Sequence, residues 1–308
     1  MKYLLNSLLT FFCFAFPAHA QKLAITSTGA DFQQFWAQAN GKDLAEQEEL
    51  WLQFERKYAD VYEQLLPDLT TSDGHTLYKE KIQHLLRTLP VTEKTIFQLY
   101  ANAEKLTASQ GERFKRQFPD MQDGMQIIFL PTLGINGAQR YLKSKDAWVL
   151  IIGVDRIAET GESLDVLFSH EFFHLYLSQK ISHLKSGSSM ASPLWHEGLA
   201  TYVSKMLNPE STLSQQLMQE DLAEACIENN IKTWAKDYST IMMLKPQGKQ
   251  YADWFRVISS QDIKRRGYCL GLRAVSKIAE THSIMEMTTW GESSFAPKLQ
   301  QALINLSH

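Results

Sequence analysis

The chain has 308 residues, with 31 basic and 34 acidic side chains and a formal net charge of −3. Its basic residues form no stripe, which argues against nucleic acid as a partner, and Lys264-Arg265-Arg266 is short enough to be a solvated turn. The length suits one large domain or two lobes around a cleft. Beyond the amino terminus no run is long and apolar enough to cross a membrane.

The first twenty residues read as a secretory signal. Lys2 supplies the positive start, Leu4 to Phe16 is a short apolar run, and Ala18-His19-Ala20 is a small-x-small cleavage site. The mature chain then begins at Gln21 and is exported, periplasmic or secreted; the alternative is an uncleaved anchor. Cys13 leaves with the signal. Cys226 and Cys269 remain, an even number in an exported chain, so a disulfide between them is plausible.

Residues 31 to 118 read as helical. Phe32, Phe35 and Trp36, then Leu50, Trp51, Phe54, Tyr58, Val61, Tyr62, Leu65 and Leu66, recur at helical spacing and mark a core face. Two further helices fit Leu77 to Leu89 and Glu93 to Phe118, with Pro90 between them. The pattern then changes. Met125 to Leu130 and Trp148 to Val154 are short, apolar and rich in branched residues, as strands are. Between them, Pro131 to Gly137 is a turn-rich connection.

A further helix is expected over Leu164 to Leu177, a stretch free of Gly and Pro, with Ser163 suited to cap it and Asp165 to its first turn. It carries His170-Glu171-Phe172-Phe173-His174, which fits His-Glu-x-x-His. Residues four apart on a helix differ by about 40° in direction and about 6 Å along the axis, so both imidazoles can reach one ion. Glu171 lies close enough to address a water on that ion. Phe172 and Phe173 face away and can pack into a core. Two histidines and a glutamate on a buried helix need partners.

A catalytic zinc usually takes three protein ligands and leaves the fourth position to water. The best third ligand is Glu197, in Trp195-His196-Glu197-Gly198-Leu199-Ala200-Thr201-Tyr202. A helix, a turn and an antiparallel helix would bring it back beside His170 and His174. His196 competes, although it points about 100° away, towards the packing side. Thr201 shares the face of Glu197, where it either bonds a ligand imidazole or its own helix backbone. Beyond Pro209, Thr212 to Glu228 and Gly267 to His282 read as helices, and the aromatics of residues 231 to 262 either line a pocket or cover the core. Gly267 and Gly271 leave one helix face bare for close contact.

His-Glu-x-x-His followed by a glutamate on a second helix resembles the gluzincin branch of the zincin metallopeptidases. The Trp195 to Tyr202 phrase, with Gly267-Tyr268-Cys269-Leu270-Gly271 as a Gly-Tyr-x-x-Gly, is more closely similar to the poorly characterised families of predicted zinc-dependent proteases. The likeness covers roughly residues 125 to 290. It implies an α+β fold, mostly helical, with a small sheet before the metal helix in a zincin-like core. It also implies three regions: a signal over 1–20, a helical part over 21–120 packed on the core, and a metallopeptidase domain over 121–308. Zn2+ would be held by His170, His174 and Glu197, with Glu171 as base. Tyr268 is the first choice to stabilise the oxyanion, with His183 and Arg273 behind it. The chain departs from thermolysin-like enzymes in having Thr201 where they place an Asp. It also lacks the Gly-x-Met-Glu-Asn signature of the large aminopeptidases. The expected partner is a peptide or protein substrate. The alternatives are an exported zinc-stabilised binding protein, its metal closed by His196, and a zinc amidase acting on cell-wall peptides.

Overall fold

The computed structural model describes residues 24–180, 189–256 and 261–308. The signal-like segment 1–20 and His183 lie outside the described residues. In chain order the elements are β1 (Ala24–Ser27), α1 (Gly29–Ala39), α2 (Leu44–Arg56), α3 (Ala59–Tyr62), α4 (Ser72–Gln117), β2 (Gln126–Leu130), β3 (Gly137–Leu142), β4 (Ala147–Gly153), α5 (Val154–Thr160), α6 (Leu164–Lys180), α7 (Ala191–Leu207), α8 (Leu213–Leu217), α9 (Glu220–Ala225), α10 (Glu228–Ile241), α11 (Gly248–Phe255), α12 (Arg266–Ile278), α13 (Ile284–Met287) and α14 (Glu292–Leu306). The protein is α+β and mostly helical, with a small mixed sheet. Among the described residues no helix is long and apolar enough to cross a membrane.

The sheet order is β1-β2-β4-β3. β1, β2 and β4 are parallel, while β3 pairs antiparallel with β4, from Gly137 opposite Ile152 to Leu142 opposite Ala147. β2 and β4 occupy the middle. Ile127 to Leu130 and Val149 to Ile152 are all buried, the continuous apolar character expected of strands covered on both faces. β1 and β3 extend the sheet beyond the two strands expected from sequence. β1 is only four residues long, and β3 is held mainly by its pairing with β4.

The connection from β2 to β3 is pinned from below. The Asp155 carboxylate, at the start of α5, accepts from the backbone N–H of Thr132 at 2.7 Å and of Gly134 at 3.2 Å. Burial raises the Asp155 pKa, and the same backbone donors oppose that rise. Tyr62 donates to Pro131 O at 2.7 Å and Lys81 to Leu133 O at 2.9 Å, so the amino-terminal helices grip the same turn. β3 therefore leaves a fixed corner.

α4 runs unbroken through Pro90, where two helices were expected. A proline removes one backbone donor and kinks a helix without having to end it. Here Thr88 and Thr92 add hydroxyl bonds to the carbonyls of His84, Leu85 and Thr88 on either side of the gap. The single helix expected over Thr212 to Glu228 is instead α8, α9 and the first residue of α10. Met218 adopts left-handed backbone (φ 51°) and ends α8, which starts with a Thr212/Gln215 capping box.

α6 and α7 run antiparallel: Asn208, just past α7, donates to Asp165 O at 3.3 Å and Ser169 Oγ at 3.2 Å near the start of α6. Phe172 and Phe173 are fully buried, against Phe114 and Phe168 and against Phe118 and Tyr176 respectively. The aromatic stripes of α1 and α2 are likewise core, and so are Trp234, Tyr238, Trp254 and Phe255; Tyr251 is half-buried. α12 crosses α7 at a glycine pair. A Cβ on Gly198 would stand 2.7 Å from the Gly271 backbone, and one on Gly271 would stand 2.9 Å from Gly198 Cα. Gly267 has a different neighbour, the Phe255 ring. Cys226 and Cys269 form a disulfide that ties the end of α9 to α12.

Candidate metal centre

The antiparallel pair α6/α7 brings three side chains together. His170 Nε2 and His174 Nε2 are 3.1 Å apart, and Glu197 Oε2 lies 3.3 Å from the first and 3.4 Å from the second. Among the described residues these three form the one group of His, Cys, Asp or Glu donors close enough to share an ion. His170 is almost fully buried, and the other two are mostly so. Glu197 Oε2 makes no well-aligned hydrogen bond despite facing both rings, and His170 Nδ1 has no partner. A buried carboxylate oxygen and two ring nitrogens in mutual contact, poorly satisfied by one another, make a donor set that could hold a cation.

The same three groups perturb one another's ionisation. Burial opposes ionisation of Glu197, but His174 and His170 outweigh it and hold its carboxyl well below the usual range. Burial likewise opposes the charge on His174, and Glu197, with Glu171 behind it, overcomes this and raises its pKa.

The site opens into a cleft of about 240 Å³ lined by Gly137, Gln139, Arg140, His170, Glu171, His174, Glu197 and Tyr268. Glu171 is buried, with its carboxylate against Gly137 on β3. A Cβ at Gly137 would come within 2.8 Å of Glu171 Oε1, so the bare glycine makes room for this carboxylate. Gln139 Nε2 donates to Glu171 O at 3.4 Å. Tyr268 enters from the first turn of α12. Its ring stacks at 6.0 Å on that of His170, and the Arg265 guanidinium lies 4.1 Å over its face. Burial and the charge of Glu197 push the Tyr268 phenol far above its ordinary value, so it stays protonated and able to donate.

Other sequence-based expectations fare differently. His196 is outside the ligand group. It faces Ser192 and the Phe295 ring of α14, and burial first, then the charge of His174, lower its pKa to about 4. Thr201 donates to its own helix at Glu197 O, 2.8 Å away, and not to an imidazole. Arg273 is exposed on α12 and does not line the cleft. Gly137, Gln139 and Arg140 were not foreseen, because they reach the site only through the pairing of β3 with β4.

No protein-family model matches the chain, and neither does any curated protein or solved structure.

Proposed function

We propose that the protein is an exported zinc metallopeptidase of the gluzincin type, with a zincin-like core formed by the sheet, α6 and α7. One observation carries this. Ligand atoms about 2.0–2.1 Å from a tetrahedral zinc stand roughly 3.3–3.4 Å from one another, and the three donor separations here are 3.1, 3.3 and 3.4 Å. The orphaned Glu197 Oε2 supports the same conclusion. His170, His174 and Glu197 would hold the ion. When bound there, zinc supplies an acidified water near neutral pH and a Lewis acid for the substrate carbonyl.

The chain's own groups supply the remaining steps. Glu171 accepts the proton of the attacking water and passes it to the leaving nitrogen. Tyr268 donates its hydroxyl proton in a hydrogen bond to the developing oxyanion. Among the described residues β3 is the terminal strand of the sheet, and it lines the cleft, so its outer edge can pair with an extended peptide. His196 is turned away from the donor set, which favours an ion left open for catalysis over one closed by a fourth side chain. The export proposal rests on the signal-like residues 1–20.

Glu171→Gln tests the mechanism. Zinc should remain bound while peptide hydrolysis falls by about 10²–10⁴-fold; undiminished hydrolysis by that variant would overturn it.

A further inference from the structure

Resting on the metallopeptidase proposal, we propose that Arg140 forms a carboxylate-binding subsite beside the metal centre, so that preferred substrates carry a carboxylate within about three residues of the scissile bond. Arg140 lies on the edge strand β3 and lines the same cleft as His170, His174 and Glu197. Its guanidinium is half-buried and held at two points: Nε donates to Gln64 O at 2.9 Å and one terminal nitrogen to Gln139 O at 2.7 Å. Both acceptors are neutral carbonyls, so they fix the plane of the group without balancing its charge. Among the described residues, no carboxylate lies within ion-pair distance of it.

The neighbours add to this. Arg256, stacked 5.4 Å from the Tyr251 ring, is near enough to Arg140 to repel it. Burial and that repulsion lower the Arg140 pKa, while Glu171 and Tyr251 partly offset the change. Glu197 and Glu171 would offset the charge of a dication held by the ligands, whereas Arg140, with Arg256 near it, has only neutral carbonyl acceptors on this flank. A fixed, unpaired guanidinium presents donors that match a carboxylate. Arg140 is three residues along β3 from Gly137, which abuts the base, or about 10 Å at strand rise. An extended peptide paired along β3 would therefore carry the carboxylate one to three residues from the bond being cut. Two sources fit: the substrate's own carboxyl terminus, or an Asp or Glu side chain.

Calorimetry on zinc-loaded Glu171→Gln protein, in which hydrolysis is slowed by about 10²–10⁴-fold, separates them. One series compares acid with amide carboxyl termini. A second, amidated throughout, compares Asp with Asn at each of three positions on either side of the intended bond. The expected result is a preference of about ten- to a hundred-fold for the charged member in one series. Arg140→Gln should collapse the preference and Arg140→Lys should keep part of it. Which series responds identifies the source. Ratios within about twofold in both series would overturn the proposal, as would a preference that survives Arg140→Gln. If Arg140→Gln misfolds, the ratios with Arg140 in place still decide. Wild-type hydrolysis is scored separately: no cleavage of any peptide beside an intact binding preference would sink the peptidase proposal and leave the subsite standing.

Discussion

If Glu171 is the base of the proposed peptidase, a single methyl group at Gly137 should disable it while leaving the proposed metal ligands alone. The Cβ of Gly137→Ala would meet Glu171 Oε1 at 2.8 Å and its Cδ and Cγ at 2.9 Å, whereas ordinary contact begins near 3.4 Å. The carboxylate must then retreat by roughly 0.5 Å. Displacing a catalytic group by about 1 Å can cost 10²-fold, so kcat should fall about ten- to a hundred-fold. Gly137 does not sit in the left-handed region, so alanine fits the backbone. The atoms it meets belong to the movable end of a side chain, and the unfolded chain becomes stiffer. Stability should therefore change by less than about 1 kcal/mol. His170, His174 and Glu197 are untouched, so zinc content should match that of the wild type. The assay pairs kcat on a quenched fluorescent peptide with metal analysis and a thermal melt. Wild-type kcat in Gly137→Ala, or zinc lost in step with activity, would refute the argument that this glycine exists to seat Glu171.

Two further predictions concern the frame around the site. The Cys226–Cys269 disulfide closes a segment of 43 residues and lies next to Tyr268; in the chain-entropy model such a loop contributes about 4 kcal/mol. Urea unfolding of Cys226→Ser should show a loss of that order, and a loss under about 1 kcal/mol would contradict it. His196 has its folded pKa lowered to about 4 by burial and by the charge of His174, against about 6.5 unfolded. Its neutral form stabilises the fold fully above pH 6.5, and that contribution, on the order of 3 kcal/mol, disappears as pH falls from about 6.5 through about 4. In metal-free protein the wild type should lose more stability over this range than His196→Asn does; parallel pH profiles would show that His196 is not held neutral by the fold.

The helical half of the site was legible because its geometry is short-range. Positions 170, 171 and 174 are fixed by helix periodicity, and Glu197 lies on the next helix of the chain, antiparallel to the first. Tyr268 was visible only through the Gly-Tyr-x-x-Gly resemblance, since α12 reaches the site by packing Gly271 on Gly198, a contact across 73 positions of chain. The β3 side of the cleft was hidden for a similar reason. Gly137-Ala138-Gln139-Arg140 lacks the apolar alternation of a half-buried strand, and its conformation depends on the ladder to β4. The run through Pro90 shows the converse: a local breaker signal overridden by a long helix whose buried face spans both sides of the proline. The even choice at Thr201 fell to the backbone, 2.8 Å away at Glu197 O, as hydroxyls inside helices often do.

The central claim is that His170, His174 and Glu197 close on one divalent ion. Metal analysis of the purified chain beside His170→Ala and Glu197→Gln, each checked for an unchanged fold by circular dichroism, tests it most directly. About one zinc per wild-type chain is expected, with both variants depleted. Equal zinc in all three, or none in a folded wild type offered excess zinc, would contradict it.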